Sequence, residues 1–213
     1  GAGTSEIIVE GVDKLNPTDH EIIGDRIAAG TFLAAILSTK GSGIVNGINP
    51  EHLPMELKKL GEMGAKIDST ETSINIEYRD NLQSIELSTL PFPGIATDLQ
   101  PIFGSALLLA EGTSILTENV YDQRFQWIPE VQRMGANIQT GWQHAMIKGV
   151  ESLSGAPVHA TDIRTGASLI IAALQADGLS TITGIDHINR GYEDIVTSLS
   201  SLGSTIEYNN TNG

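Results

Sequence analysis

"DIRTGASLIIAALQADGLSTITGI" (residues 162–185) decides the fold, because the chain repeats its pattern twice more. "DRIAAGTFLAAILSTKGSGIVNGI" (25–48) and "DLQPIFGSALLLAEGTSILTENV" (98–120) also open with aspartate and run into an apolar helix rich in small residues. Each breaks at a glycine (Gly41, Gly112 and Gly178) and resumes as a short alternating strand. A polar turn and a second helix follow, closing in "LGEMGAKI", "VQRMGANI" and "LSSLGSTI". There Gly64, Gly135 and Gly203 stand where a left-handed residue ends a helix. An internal repeat of this length constrains the architecture before any other signal.

The two helices of each unit differ in kind. "TFLAAIL", "SALLLA" and "SLIIAAL" are apolar on nearly every face, which predicts burial all round. "LPMELKKLGEMG" and "IPEVQRMG" are amphipathic and suit the cover of a sheet. The expected architecture is an α/β, pseudo-threefold lobe of repeated βαβαββ-type units. Three buried helices lie inside, with strands and outer helices around them.

The chain ends fit the repeat unevenly. "IIVEGVDKLN" (7–16) echoes "AMIKGVESLS" (145–154), which closes the second unit, so the chain starts with the tail of a unit whose head is absent. "TIEYNNTNG" (205–213) stops where the third unit should continue into a hairpin. The pattern looks like a cut made within a larger repeat array. A simpler alternative has the N-terminal segment pair with the third unit and close the lobe on itself.

Composition narrows the chemistry. The chain has 213 residues, 40% hydrophobic and 18% charged, enough for a sizeable core. No apolar run approaches the length of a membrane span, and no signal peptide is visible. Without cysteine, disulfides and thiol nucleophiles are excluded. The histidines, at 20, 52, 144, 159 and 187, show no ligand spacing, so no metal is expected. A net charge of −14 argues against nucleic acid and against an anionic membrane surface.

Chemistry should gather at the mouths of the buried helices, where free N–H groups attract anions. Asp25, Asp98 and Asp162 sit there, and recurrence favours an N-cap at each. A carboxylate freed from capping could instead serve as a general base. Arg124 and Arg190 precede the second helices of units two and three, where a cation opposes the helix dipole. Pro129 with Glu130, and Glu193 with Asp194, already meet the local preference of those helix starts. Either an external anion or a salt bridge explains the two arginines. Arg26 and Arg164 lie close enough to the helix-opening Asp25 and Asp162 to pair with them. Trp127 and Trp142 read most simply as core or cover, and "GAGTSE" as a flexible lead without the Gly-Lys-Ser/Thr of a phosphate loop.

Four stretches then carry a resemblance: "PFPGIATDLQ" (91–100), "LAEGTSILTENVYDQRFQWIPEVQRMGA" (109–136), "KGVESLSGAPVHATDIRTGASL" (148–169) and "HINRGYEDI" (187–195). The chain resembles the enolpyruvyl transferases from Gly1 to about Tyr208. "LSGAPVHATDIR" and "HINRGYE" look like the branch that uses a UDP-sugar, rather than the sister branch acting on shikimate 3-phosphate. The resemblance implies two lobes, each an inside-out α/β barrel, closing over substrates. This chain would be the C-terminal lobe over 24–213, preceded over 1–23 by terminal strands of the N-terminal lobe. Its partners would be the N-terminal lobe of the same enzyme, phosphoenolpyruvate and UDP-N-acetylglucosamine. The implied reaction, in cytoplasmic peptidoglycan precursor synthesis, moves the enolpyruvyl group to the sugar 3-hydroxyl by addition–elimination, without cofactor. By motif, Asp98 would bind the sugar hydroxyl and act as base, Val120 would touch the UDP-sugar, and Arg190 would hold the phosphoenolpyruvate carboxylate. Arg124, Arg164 and Asp162 would line the same cleft.

The family's proton-delivering cysteine, its lysine–asparagine pair and its arginine loop have no counterpart here. The resemblance places all three outside this chain, which implies negligible turnover by the lobe alone. Smaller departures are Trp127 where histidine is common, Ile95-Ala96 before Thr97, and Asn189 where aspartate is usual. Two other readings remain: a non-catalytic binding or assembly module, which could form a strand-swapped homodimer, and the shikimate branch.

Overall fold

A computed structural model describes residue 1 and residues 6–209. Residues 2–5, within the "GAGTSE" lead, and 210–213, at the end of the expected lobe, lie outside the described residues. The first unit contains α1 (Arg26–Ser38), β1 (Ser42–Asn46), α2 (Pro54–Glu62), β2 (Ala65–Ser69) and β3 (Ser73–Tyr78). The second contains β4 (Glu86–Ser88), α3 (Gln100–Ala106), β5 (Thr113–Thr117), α4 (Ile128–Arg133), β6 (Asn137–Gly141) and β7 (His144–Lys148). After β8 (Leu153–Ser154), the third unit contains β9 (Pro157–His159), α5 (Ile163–Gln175), β10 (Ala176–Asp177), β11 (Thr181–Thr183), α6 (Ile185–Asn189) and α7 (Ile195–Ser201).

The helices α1, α3 and α5 pack against one another, as the repeat predicts. Leu33 and Leu37 of α1, Phe103 of α3 and Leu169 of α5 are completely buried. Every residue of α3 is buried, which fits a helix with no polar face. Around this centre lie a three-stranded antiparallel sheet, β1-β3-β2, and a four-stranded sheet, β4-β5-β7-β6, in which only β4 and β5 are parallel. The third unit contributes two short parallel pairs, β8 with β10 and β9 with β11.

Only the second unit shows the complete βαβαββ order among the described residues. Residues 6–24 form no strand there and stay exposed as far as Ile23, while 204–209 form none after α7. The N-terminal segment therefore does not close the lobe on the third unit. A strand needs a ladder partner for its N–H and C=O groups, and residues 7–24 and 204–208 join no ladder among the described residues. Gly64, Gly135 and Gly203 all take positive φ, between 96° and 108°, as expected of residues that end these helices. At the end of α1 the positive φ falls on Lys40, at 59°, one residue before the expected Gly41.

Candidate functional site

The three helix-opening aspartates do not behave alike. Asp25 accepts from the N–H groups of Ile27 and Ala28, and Asp162 from those of Arg164 and Thr165, so both cap their helices. Asp98 caps nothing. It lies in a 3-10 turn over Thr97–Leu99 that feeds into α3, and its two carboxylate oxygens face two guanidinium groups. Arg124 Nη2 donates to Oδ1 and Arg164 Nη2 to Oδ2, each at 2.9 Å. The expectation that all three are N-caps is thus corrected at the second. The 3-10 turn, with Pro101 just inside α3, leaves the Asp98 side chain turned away from the helix amides.

The same contacts correct two pairings. Arg164 reaches Asp98, 66 residues away, rather than the neighbouring Asp162. Arg26 lies with its guanidinium 5.3 Å from the centre of the Phe92 ring, a cation–π contact. Asp162 is half-buried, and burial alone would push its carboxyl up. Hydrogen bonds from the Thr165 hydroxyl, the Thr165 and Arg164 N–H groups and the Thr161 hydroxyl outweigh this and hold it below the ordinary carboxylate value.

Arg124 comes from a 3-10 turn over Arg124–Trp127, just ahead of α4. Its Nε donates to the Thr97 hydroxyl at 3.0 Å, and its guanidinium stands 4.7 Å from the centre of the Tyr121 ring. A cleft of about 190 Å³ opens beside it, lined by Pro101, Tyr121, Gln123, Arg124, Gln126, Asp162 and Thr165. Asp98 is about one-third exposed. Four lone-pair sites on a carboxylate, two engaged by arginines, leave room for a hydroxyl donor. A ligand with negative charge and hydroxyls would find both kinds of partner here.

Val120 and Arg190 sit differently. Val120 is half exposed on the loop after β5. That loop is knit by buried Glu118, whose Oε1 accepts from the Thr89 hydroxyl and from the N–H groups of Val120 and Tyr121. Arg190 is exposed at the end of α6, and the structure brings it into no ion pair with the Asp98 cluster. Its loop is nevertheless anchored close by. A Cβ on Gly191 would meet the Ile163 side chain at the start of α5, and buried Tyr192 shares a 2.8 Å hydrogen bond with Thr31 of α1.

Sequence reasoning missed Thr97, Glu118 and Tyr192, each of which has a side-chain partner 27 to 161 residues away. Glu130 also departs from expectation. Its carboxylate reaches across to the N–H of His159 in β9, besides lying in the first turn of α4. Trp127 is fully buried, whereas Trp142 is fully exposed at the β6–β7 turn and covers nothing. No group of three or more metal-ligating side chains occurs among the described residues. No helix among them is long and apolar enough to cross a membrane.

Three packed helices with a carboxylate and two arginines at their mouths define an α/β lobe with a charged rim. Residues 1–199 match the EPSP synthase (3-phosphoshikimate 1-carboxyvinyltransferase) family, and the chain belongs to this family of enolpyruvyl transferases. Among curated relatives, the UDP-N-acetylglucosamine 1-carboxyvinyltransferases of Thermotoga maritima and Corynebacterium jeikeium are 47% and 44% identical over 98% and 97% of this chain. The chain spans about half the length of each, 49% and 50%. Among solved structures, the enolpyruvyl transferase NikO from Streptomyces tendae superposes with a TM-score of 0.78 at 26% identity, over 87% of this chain and 44% of that one. An EPSP synthase from Acinetobacter baumannii, at 21% identity, shares the fold with a TM-score of 0.73, over 87% of this chain and 47% of its own.

Proposed function

We propose that this chain is one lobe of a transferase that moves the enolpyruvyl group of phosphoenolpyruvate to the 3-hydroxyl of UDP-N-acetylglucosamine. The reaction serves peptidoglycan precursor synthesis in the cytoplasm, and through it cell-wall growth, cell shape and division. One observation carries the reading: Asp98, alone of three equivalent aspartates, caps no helix and is held between Arg124 and Arg164 beside a cleft. Relatives at 42–47% identity are named for the UDP-sugar substrate, which favours this branch over the shikimate one and over a non-catalytic module.

The roles follow from the chemistry of the groups. Asp98 accepts the proton of the sugar 3-hydroxyl as its oxygen adds to C2 of phosphoenolpyruvate. The addition places a proton on C3; elimination from the tetrahedral intermediate then removes a proton from C3, releases phosphate from C2 and so regenerates the double bond. Arg190 holds the phosphoenolpyruvate carboxylate, and Arg124 and Arg164 stabilise anionic charge. Val120 touches the UDP-sugar, and Asp162 fixes the cleft wall through its cap. The proton-delivering group belongs to the N-terminal lobe of the enzyme, so this chain alone releases negligible phosphate when given both substrates.

Calorimetric titration with UDP-N-acetylglucosamine, on the wild-type chain and on Asp98→Ala, tests the reading. The expected result is binding that weakens by about tenfold or more in the variant, the scale of a lost charged hydrogen bond. Equal affinity in the two proteins would remove Asp98 from the sugar site. Preference for shikimate 3-phosphate would move the chain to the sister branch.

A further inference from the structure

The two 3-10 turns of the site are joined by a second contact, deeper than the arginine–aspartate pair. In a 3-10 helix, side chains three positions apart lie on one face. Arg124 and Trp127 are so related on one turn, while Thr97 opens the other and Gln100 follows it as the first residue of α3. Arg124 Nε donates to Thr97 Oγ1 at 3.0 Å, and Trp127 Nε1 donates to Gln100 Oε1 at 3.2 Å. These are two rungs of one ladder. The outer rung borders the cleft, and both residues of the inner rung are completely buried. Behind the indole lies Gly104, where an added Cβ would stand 2.5 Å from Trp127 Cζ2. The ring therefore has one seat, backed by glycine and oriented by a single hydrogen bond.

The geometry points to Trp127 as a positioning residue. Through Gln100 it fixes the register of the Arg124 turn against the Asp98 turn, and so sets where Arg124 and Asp98 meet substrate. The functional consequence rests on the reading proposed above; the ladder itself does not. A buried indole N–H takes an acceptor wherever it packs, and here that acceptor stands at the head of the helix that follows the Asp98 turn. A rung that sets register fails when its donor is removed, even though the ring volume remains.

The test is NMR observation of the Arg124 Nε–H signal in the 213-residue chain, which needs no substrate. Trp127→Phe removes the donor, Gln100→Met removes the acceptor at similar size, and both are combined in a double variant. Ile147→Val in β7, away from the ladder, supplies a control of lowered stability. The expected result is hydrogen exchange at Arg124 Nε some five- to tenfold faster in each single variant, the scale of one net hydrogen bond. The double variant should go no further, because both changes break the same rung. Exchange unchanged in either single variant, or accelerated as much by Ile147→Val, overturns the inference and leaves Trp127 as core packing. Should Trp127→Phe fail to fold, Gln100→Met alone decides between these outcomes. Failure of wild type to bind UDP-N-acetylglucosamine would count against the functional reading, not against the ladder.

Discussion

Asp98 and Glu56 show how the same side-chain chemistry is put to opposite use. Asp98 is partly exposed and faces two cations. Glu56, on α2, is fully buried, and no hydrogen-bond donor meets either carboxylate oxygen with good geometry. Burial pushes the Glu56 carboxyl above the ordinary carboxylate value, and its own backbone N–H, that of Ala96 and the Arg26 charge only partly offset this. A pKa raised in the folded state gives a definite sign. Below the ordinary carboxylate range both folded and unfolded forms are protonated, and Glu56 imposes no ionisation cost. As pH rises through the raised value, the unfolded chain has already lost its proton and the folded one must follow, so stability falls. Glu56→Gln, which cannot ionise, should therefore raise the thermal midpoint at pH 8 and leave it nearly unchanged at pH 4. Melting curves at the two pH values check this. A Gln variant less stable at pH 8 would mean that the ionised carboxylate is held by Arg26 more strongly than burial opposes it.

At the scale of elements, the helix mouths separate capping from non-capping aspartates. Asp25→Ala and Asp162→Ala each remove a side-chain cap and should lower stability by about 1 kcal/mol, measured by urea denaturation. Amide exchange should speed in the first turn of α1 or α5 respectively. Asp98→Asn should leave the first-turn amides of α3 unaffected, since no bond runs from that side chain to them. Faster exchange there would restore Asp98 to the capping class. The repeat made the three central helices legible in the sequence, because an all-apolar helix between an aspartate and a glycine is a local pattern. The capping of α1 and α5 was equally local. What the sequence could not display was Asp98's exit from that pattern, since it depends on Arg124 and Arg164 arriving from two other elements. Arg164 pairs with Asp98 rather than the nearer Asp162 because the cap bonds already occupy Asp162. Glu118 was illegible for a similar reason. A glutamate after a strand reads as solvent-facing, and only the fold shows that it closes the Val120 loop from inside.

For the whole molecule, the internal threefold leaves an asymmetry with a measurable consequence. β5 has the parallel neighbour β4, and β11 has the parallel neighbour β9. β1, their equivalent in the first unit, is paired with β3 alone among the described residues, and its Ile44 is 61% exposed. The segment leading to α1 carries Ile7, Ile8, Val9, Val12, Leu15, Ile22 and Ile23, every one at least 67% exposed. An open strand edge in a chain that also carries an exposed apolar segment is a template for pairing with another chain. Exchange of this segment between two copies would give a closed dimer in which each β1 gains the neighbour that its counterparts already have. Sedimentation velocity over a wide range of concentration should then show the 213-residue chain passing from monomer to dimer. A chain starting at Gly24, which keeps the Asp25 cap, should remain monomeric with its thermal midpoint little changed. Ile22→Asp with Ile23→Asp should suppress the dimer without truncation, because a charge pair at a buried strand position must be desolvated to dock. Dimers formed equally well by the shortened chain would move the contact elsewhere on the lobe. A monomer at every concentration would show that the free edge of β1 has too little affinity for this segment to hold a second copy.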